Sequence, residues 1–440
     1  MDPVVLSAIL LLIVSTLLGG GGTPSPLLEL AVQLIGAGIA AFWGIQMLRR
    51  NAKISLPALV IAALFLLVPL VQLVPLPPSV WQALPGRAPE IEALKLVGAE
   101  NSWRSISMAP DRTLASLLAS IPPLLLLVMV ASMRRRDRAL MVAVVGAIGL
   151  LTLLVGLLQV RAGVLLFWDR SDVVLTGFQA NRNTTADVLL VGLLAGVTAL
   201  RLWNEGRSRP RSPVVILTAS AVLSIMIATG VFMTGSRSGV VLLLIAVPAA
   251  AIIAFLQVQG SSRRPLLAGL GALIILAGAG LVVAQSANGS IVKVVSRFST
   301  DDETRPELWR DTRYAINESF PFGTGIGTFV PIMFAAERLE VVDMRLPNRA
   351  HNEYLEYTME SGIAGPLAML VISLYLIVIA WKEWRKHQPF SRAQISCAIA
   401  AMTIVALHSI VDYPFRSMSM ASLIAIMVAL LLPAPERKPE

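Results

Sequence analysis

Residues 134–161 read RRRDRALMVAVVGAIGLLTLLVGLLQVR, and this stretch decides the fold class. Between Arg138 and Arg161 lie 22 residues without a charged side chain. A helix needs about 20 mostly apolar residues to cross the hydrocarbon core of a bilayer. A cluster of cations directly before such a run is typical of a loop on the cytoplasmic side of a membrane. The stretch therefore predicts a membrane-spanning helix that follows a basic loop.

The composition of the whole chain agrees with this interpretation. Of its 440 residues, 56% are hydrophobic and only 14% are charged, and the mean hydropathy is +0.74. Soluble domains carry about 25% charged residues, so a water-soluble globule is excluded, as are disordered and collagen-like chains. Cys397 is the only cysteine, which excludes an intramolecular disulfide scaffold. We expect an all-α polytopic membrane protein.

Similar apolar runs recur along the chain and predict about twelve transmembrane helices. They lie near 3–19, 27–48, 55–76, 113–131, 139–160, 186–201, 213–231, 239–256, 265–285, 363–381, 393–411 and 418–433. The first run has no basic segment before it, so we do not expect a cleavable signal peptide, and the glycines at 19–22 predict a short loop. The chain, 1–440, is expected to form a single integral membrane domain.

Alternate short loops are basic. These loops and the two terminal segments hold 19 of the 36 Lys and Arg residues but only six of the 27 Asp and Glu residues. Their cations are Arg49, Arg50, Lys53, Arg134, Arg135, Arg136, Arg138, Arg201, Arg207, Arg209, Arg211, Arg263, Arg264, Lys382, Arg385, Lys386, Arg392, Arg437 and Lys438. The positive-inside rule places these loops and both termini in the cytoplasm. The net charge of +9 is therefore a topology signal, and nucleic-acid binding is not expected.

The longest polar segments fall between the basic loops, on the predicted outer side of the membrane. They are 77–112, 161–185 and 286–362. The last of them separates spans nine and ten and is expected to form a cap of short helices. A polar substrate can be handled outside the bilayer, so function is expected on this side.

Ionisable residues are rare inside the predicted spans. They are Glu29, Asp187 and His408, and all three lie near the outer ends of their spans. An ion-coupled transporter would place charges at mid-depth in the membrane. The distribution therefore favours a polar cavity that opens outward.

A short outer turn reads VFMTGSRSG at 231–239. Arg237 stands at the expected start of the next helix, where free backbone N–H groups and the helix dipole favour an anion. Arginine at a helix N-terminus suits a phosphate group. An arginine that only reaches the lipid headgroups is an equally good interpretation of the residues alone.

A second outer stretch reads FQANRNTTA at 178–186, with Arg182 between two asparagines just before span six. Asn183 or Thr184 is expected to cap that helix. Binding of sugar hydroxyls by these side chains is the less favoured alternative, which makes Arg182 and Asn183 weaker site candidates.

The large outer segment contains two further patterns. RPELWRDTR at 305–313 predicts a helix with Arg305 and Trp309 one turn apart. Such a helix lies either in the membrane interface or on an ordinary amphipathic surface. FGTGIGTF at 322–329 is neither GxGxxG nor a P-loop with lysine, and no strand precedes it, so it predicts a tight loop.

The most informative outer stretch reads RAHNEYLEYTMESGIAG at 349–365. His351 lies at the expected start of a short helix, where the dipole disfavours imidazolium and leaves a neutral ring able to act as a base near pH 7. A histidine that merely caps the helix is the alternative interpretation. Arg349, Asn352 and Glu353 are weaker site candidates.

The last outer turn reads HSIVDYP at 408–414. Asp412, another weaker candidate, either pairs with Arg416 or orients a base, and a local structural network is the favoured interpretation. We expect no metal site, because the chain has no HExxH motif and His387 is predicted on the opposite side of the membrane.

In this order and spacing, these stretches resemble the bacterial O-antigen ligase and O-antigen polymerase superfamily of membrane glycosyltransferases. The resemblance covers most of the chain and includes the twelve-span layout. Its motifs are WRSISMAPDRTL (103–114), FxxNxN (178–183), TGSRSG (234–239), RxxxW (305–309), PFGTGIGTF (321–329), HNEYLEYTMESGIAG (351–365) and HSIVDYP (408–414).

The resemblance implies a reaction in the bacterial inner membrane, with the active site on the periplasmic face. The donor would be a glycan on undecaprenyl diphosphate, and the acceptor would be lipid A–core or another glycan. The resemblance assigns diphosphate binding to Arg237 and Arg305 and the role of general base to His351, with Arg182 as a weaker addition. Diphosphate is a good leaving group once its charge is held, so we expect an inverting reaction that needs no metal and no cofactor.

The sequence motifs do not identify the acceptor of the glycan. The spacing of Arg237, Arg305 and His351 favours a ligase slightly over a polymerase of O-antigen or exopolysaccharide. A polysaccharide-related transporter or a non-catalytic assembly protein is less favoured. The expected partners are the lipid-linked donor, the acceptor and membrane lipids.

Overall fold

The computed structural model describes residues 1–22, 26–163, 167–168, 174–206, 212–255, 271, 304–342, 347–386 and 389–435. The described chain is almost entirely helical, which confirms the expected all-α class. Its helices are α1 (Pro3–Leu18), α2 (Pro26–Arg49), α3 (Leu56–Gln72), α4 (Pro78–Trp81), α5 (Ala88–Leu96), α6 (Pro110–Ala131), α7 (Arg135–Ala162), α8 (Arg182–Glu205), α9 (Pro213–Thr234), α10 (Arg237–Phe255), α11 (Thr304–Ser319), α12 (Phe329–Ala336), α13 (Glu353–Ser361), α14 (Ala364–Arg385), α15 (Pro389–His408) and α16 (Met418–Leu431). Two short strands, Pro75–Leu76 and Arg104–Ser105, pair antiparallel, and a 3-10 turn covers Pro414–Arg416.

Seven of the described helices are long and apolar enough to cross a membrane, namely α2, α6, α7, α8, α9, α10 and α14. Helices α1, α3, α15 and α16 are shorter but also apolar. These eleven correspond to the predicted spans, apart from 265–285, of which only Gly271 is described. Large apolar side chains such as Leu34, Leu67 and Ile377 are exposed on the outside of the bundle, which suits contact with lipid better than contact with water.

Helix α8 lies at the centre of the bundle, because 83% of its most apolar window is buried, more than in the other six long helices. Glycines allow its backbone to approach that of α7. A Cβ atom added at Gly192 would lie 2.6 Å from the Cα atom of Gly149, and one added at Gly146 would lie 2.8 Å from the Cα atom of Gly196. Close contacts between small residues are a general means of packing helices in membranes.

Helix ends that carry predicted basic loops meet at one end of the bundle, here called the basic end. Arg135 Nη2 lies 3.2 Å from Glu383 Oε2, which joins the start of α7 to the end of α14. The buried Arg138 donates to the carbonyl of Leu432 at 2.6 Å and so satisfies an orphan carbonyl beyond α16. This arrangement agrees with the predicted alternation of loops.

The opposite end of the bundle carries the short helices α11, α12 and α13. They share a small apolar cluster, distinct from the main core, formed by Ala315, Phe329, Met333, Ala350 and Met359. Leu308 and Ile316 of α11 pack against this cluster. The predicted bounds of the cap, 286–362, extend beyond the described residues.

The glycine-rich stretch at 322–329 forms the predicted tight loop. Gly323 has a φ of 75°, and a Cβ atom there would lie 2.3 Å from the backbone N of Gly362, so the position requires glycine. The loop binds the end of α13, because Thr324 N donates to Met359 O at 3.1 Å. Its role is to attach the short helices to the bundle.

Candidate functional site

The segment at 408–416, between the last two apolar helices, brings the predicted site residues together. Arg305, in the first turn of α11, donates from Nη1 to the carbonyl of Val411 at 3.0 Å. His351 Nδ1 lies 3.2 Å from Asp412 Oδ1. Residues 106 and 61 positions earlier in the chain thus contact two consecutive residues of this segment.

The start of α10, which carries Arg237, is joined to the 408–416 segment through the neighbouring Ser238. Arg237 is the first residue of α10, as predicted, and follows Gly235, whose φ of 69° ends α9 in the left-handed conformation. Ser238, the next residue, places its Oγ 2.6 Å from His408 Nε2. The helix start that carries Arg237 is therefore joined to the start of the 408–416 segment.

His351 has an unusual backbone. Its φ is 48°, a region that residues other than glycine rarely adopt and that costs about 1–3 kcal/mol. The cap of α13 is Asn352, whose side chain accepts from Leu355 N at 3.1 Å. The interpretation of His351 as a helix cap is therefore wrong. Its ring packs edge-on against Tyr413, with ring centroids 5.0 Å apart, and its side chain is 30% exposed.

The protonation state of Asp412 gives the contact with His351 its direction. Burial favours the neutral form of Asp412, but the hydrogen bond from His351 and the charge of His408 outweigh it and hold the pKa of Asp412 below its usual value. An ionised carboxylate only accepts hydrogen bonds, so His351 donates from Nδ1. The Nε2 atom of the neutral ring then carries the lone pair that a general base requires.

Two asparagines at the start of α8 support the same carboxylate. Asn181 donates from Nδ2 to Asp412 Oδ2 at 3.2 Å, and Asn183 also forms a side-chain hydrogen bond to Asp412. The cap of α8 is Asn181, which accepts from Asn183 N at 2.8 Å. The expectation that Asn183 or Thr184 caps this helix is wrong. Arg182 is the first residue of α8, between these two asparagines.

A buried ion cluster fixes α13 to the 408–416 segment. Arg416 lies 2.9 Å from Glu360, 3.2 Å from Glu356 and 3.6 Å from Glu353. Arg349 adds a second cation, with its Nη1 2.9 Å from Glu356 Oε1. The alternative pairing of Asp412 with Arg416 is therefore wrong, because Arg416 binds the three glutamates and Asp412 binds His351.

Glu353 belongs to this ion cluster and has a raised pKa. Burial raises the pKa of Glu353 to about 7, against the lowering effects of Arg416 and the N–H of Phe415. The Glu353 backbone N–H also donates to the carbonyl of Ser409 at 2.9 Å. Glu353, Arg349 and Asn352 therefore all hold α13 in place.

A family model described as O-antigen ligase matches residues 219–370. This part of the chain, about a third of its length, is similar to the O-antigen ligase family. The matched residues include Arg237, Arg305 and His351, whereas Arg182 and Asp412 lie outside them. No curated protein matches the chain.

The similarity to the O-antigen ligase family agrees with the apolar helices and supports a multi-pass membrane enzyme of the glycosyltransferase kind. Among the described residues, no group of three or more His, Cys, Asp or Glu side chains is placed to hold a metal ion.

The two residues that define the RxxxW motif, Arg305 and Trp309, make separate contacts. Arg305 contacts the 408–416 segment, and Trp309, one turn later, donates from Nε1 to the carbonyl of Ala350 at 2.9 Å. Ala350 directly precedes His351. Helix α11 therefore supports the histidine through the backbone while it presents an arginine near the same segment.

Sequence reasoning missed two parts of the site. The first is the ion cluster, although the spacing of Glu353, Glu356 and Glu360 places them on one face of a helix and could have indicated a buried cation. The second is the contact between Ser238 and His408. The two residues lie in the motifs at 234–239 and 408–414, but 170 positions separate them and no local pattern connects them.

Proposed function

We propose that this protein transfers a glycan from undecaprenyl diphosphate to a sugar hydroxyl on the periplasmic face of the bacterial inner membrane. The acceptor in the leading form of the proposal is lipid A–core, which makes the protein an O-antigen ligase. The observation that carries the proposal is the pairing of the half-exposed His351 with the buried Asp412, on the same segment that contacts Arg305 and the start of α10.

His351 acts as the general base. Its Nε2 takes the proton of the acceptor hydroxyl as the oxygen attacks the anomeric carbon, a contribution typically worth about 10²–10⁴-fold. Asp412 holds the ring in the tautomer that leaves Nε2 free of its proton and stabilises the imidazolium that forms. The geometry resembles the His–Asp half of a catalytic triad.

Arg237 and Arg305 bind the diphosphate. The bond between the anomeric carbon and the diphosphate oxygen breaks, its electron pair goes to that oxygen, and undecaprenyl diphosphate leaves. Charge-assisted hydrogen bonds from arginine are strongest where this negative charge develops. Direct displacement inverts the anomeric centre. In this proposal the cations hold the leaving group, and neither a metal nor a cofactor takes part.

The proposed orientation of the protein in the membrane rests on the charge of its loops. The basic end faces the cytoplasm together with both termini, and the end that carries α11, α12 and α13 faces the periplasm. The polyprenyl chain of the donor remains in the membrane beside the bundle, and the diphosphate lies at the level of the first turn of α10.

A lipopolysaccharide gel of a deletion strain tests the proposal. The strain is complemented with wild type, His351→Ala, Arg305→Ala and Arg313→Ala, the last of which changes an exposed arginine on the same helix. We expect wild type and Arg313→Ala to restore the ladder, and His351→Ala and Arg305→Ala to leave core alone. Activity of His351→Ala would reject the assignment of the base.

The same gel distinguishes the acceptors. Core with one attached repeat in the deletion strain would identify a polymerase of O-antigen. An unchanged gel would reject the ligase and would indicate that the protein acts on exopolysaccharide instead. In a purified assay, activity that survives EDTA supports the metal-independent reaction, whereas loss in EDTA and recovery with Mg²⁺ or Mn²⁺ would contradict it.

A further inference from the structure

A second group of polar side chains lies beside the proposed site and has no part in the transfer described above. Asp187 Oδ1 lies 2.7 Å from His408 Nδ1, and His408 Nε2 lies 2.6 Å from Ser238 Oγ. The three residues come from α8, α15 and α10. The packing of three different helices therefore brings them into one chain of hydrogen bonds.

Burial makes this arrangement costly. The side chains of Asp187 and His408 are 1% and 0% exposed, and Asp187 Oδ2 has no hydrogen-bond partner among the described residues. Replacing buried ionic groups with apolar side chains of similar size is often neutral or stabilising. Ionisable residues inside spanning helices generally mark functional sites. Stability alone therefore does not explain why these residues are present.

Ser238 is the exposed end of the chain of hydrogen bonds. It lies directly after Arg237 in the first turn of α10 and is half-buried, whereas Asp187 and His408 are fully enclosed. Arg305 is close enough to act electrostatically on His408. The Ser238 hydroxyl thus belongs to the helix turn that carries Arg237 and contacts the histidine on which Arg305 acts, so it is a candidate donor to the diphosphate that we assign to these arginines.

We propose, on the basis of the proposed function, that Asp187 and His408 position the Ser238 hydroxyl to donate a hydrogen bond, and then a proton, to the leaving diphosphate. As the anomeric bond breaks, the diphosphate oxygen takes the proton of Ser238 Oγ. Ser238 Oγ then takes the Nε2 proton of a doubly protonated His408. Because His351 gains the proton of the acceptor hydroxyl in the same turnover, exchange of one proton with water at each histidine restores the enzyme.

His408 is surrounded by charges from several elements. They are Asp187 of α8, Asp412 of the following turn and Arg305 of α11. Any change at those residues alters the field at His408. Ser238→Ala leaves all of them in place and removes only the hydroxyl, so this variant isolates the proton donor.

The experiment measures kcat and KM as a function of pH for the full-length protein in detergent, with an undecaprenyl-diphosphate-linked glycan and lipid A–core as substrates. We expect Ser238→Ala to lower kcat about 100-fold with little change in KM. We also expect it to lose the alkaline limb of the pH profile, which reports the proton of His408, and to keep the acid limb. Ser238→Thr, which retains a hydroxyl, restores much of the rate.

Asp187→Asn provides the second arm. As a positioning variant it should lower kcat to a similar extent, and the double variant should be no slower than Ser238→Ala alone, because residues that act as one unit are not additive. Ser422→Ala is the matched control, since this buried serine of α16 has a hydroxyl without a hydrogen-bond partner in the described chain. It should behave as wild type.

The outcomes separate the two proposals. A wild-type protein that transfers no glycan rejects the proposed function and this inference with it. A wild type that transfers glycan, together with a Ser238→Ala variant that keeps its rate and its alkaline limb, rejects the inference alone. An additive loss in the double variant would assign Asp187 and Ser238 to separate structural roles and would also overturn it.

Discussion

At the scale of single residues, the site depends on how His351 is held. Its left-handed backbone turns the ring toward the 408–416 segment, where Asp412 and the edge of Tyr413 fix its orientation. Strained backbone of this kind persists only where surrounding contacts determine it. The hydrogen bond from Trp309 to the carbonyl of Ala350 is one such contact. The position of the base is therefore set before substrate arrives.

Asp412→Asn tests this orientation. The amide keeps the size of the side chain but loses the charge that selects the tautomer of His351, so we expect kcat to fall by about 100-fold or more. Steady-state kinetics at several pH values check this. The control is Asp311→Asn, a buried carboxylate that pairs with Arg338 at 2.6 Å instead and should retain kcat. Equal kcat values in both variants would contradict the role of Asp412.

Glu353 makes stability depend on pH. Its folded-state pKa is raised to about 7, above the ordinary value of 4.5, so the folded protein holds a proton between these pH values that the unfolded chain has released. Stability from this group is therefore greatest at low pH and falls as pH rises through that window, by on the order of 3 kcal/mol.

Glu353→Gln should reduce that dependence. We expect the difference in unfolding temperature between pH 5 and pH 8, measured in detergent, to be smaller in the variant than in wild type. Glu318→Gln, which changes an exposed glutamate of α11, should keep the wild-type difference. The same pH dependence in all three proteins would show that Glu353 does not titrate in this range.

At the scale of elements, two kinds of contact hold the helices. The bundle relies on close packing of small residues, and the short helices rely on buried charge. Helix α13 carries three glutamates around Arg416 and begins with a cap at Asn352. Substitutions in these two kinds of contact should lower stability by different amounts, and the thermal midpoint of each variant measures the difference.

Arg416→Ala leaves three buried carboxylates without their common partner, and breaking such an arrangement costs about 3–5 kcal/mol. We expect a large fall in the thermal midpoint and low accumulation in the membrane. Arg50→Ala removes an ion pair with Asp2 in which both side chains are 40% exposed, and it should have little effect. A small loss in both variants would show that the cluster contributes little to stability.

Gly192→Ala tests the contact between α7 and α8. The added Cβ atom meets the Cα atom of Gly149 at 2.6 Å, so the two helices must separate, which costs about 1–3 kcal/mol. Gly38→Ala is the matched control, because a Cβ atom there has no neighbour within 4 Å. We expect only Gly192→Ala to lower the thermal midpoint. Unchanged midpoints in both proteins would mean that the backbone shifts freely.

At the scale of the whole molecule, what could be predicted from the sequence depends on distance along the chain. Apolar runs and loop charge are local signals, so the spans and the helix that starts at Arg237 could be predicted. Contacts between distant segments could not. From the sequence, Asp412 either pairs with Arg416 or orients a base, and the structure pairs it with His351. The cap of α8 is expected at Asn183 or Thr184, but Asn181, which is equally suited by residue type, forms it.

Cysteine labelling tests the proposed sidedness. The only native cysteine, Cys397, is buried, so a Cys397→Ser background accepts single reporters. We expect Leu339→Cys, at an exposed position after α12, to react with a membrane-impermeant maleimide in whole cells. Asn51→Cys, at the basic end, should react only after the inner membrane is broken. The reverse pattern would invert the orientation and reject a periplasmic site.

The position of the 408–416 segment has a consequence for biosynthesis. Ribosomes release a chain from its N-terminus, so this segment emerges after Arg237, Arg305 and α13. Until then His351 lacks its carboxylate, Ser238 lacks its histidine and the three glutamates of α13 lack Arg416. A chain that ends before this segment therefore has both arginines but lacks the assembled centre, so the proposed activity requires that residues 408–416 are in place.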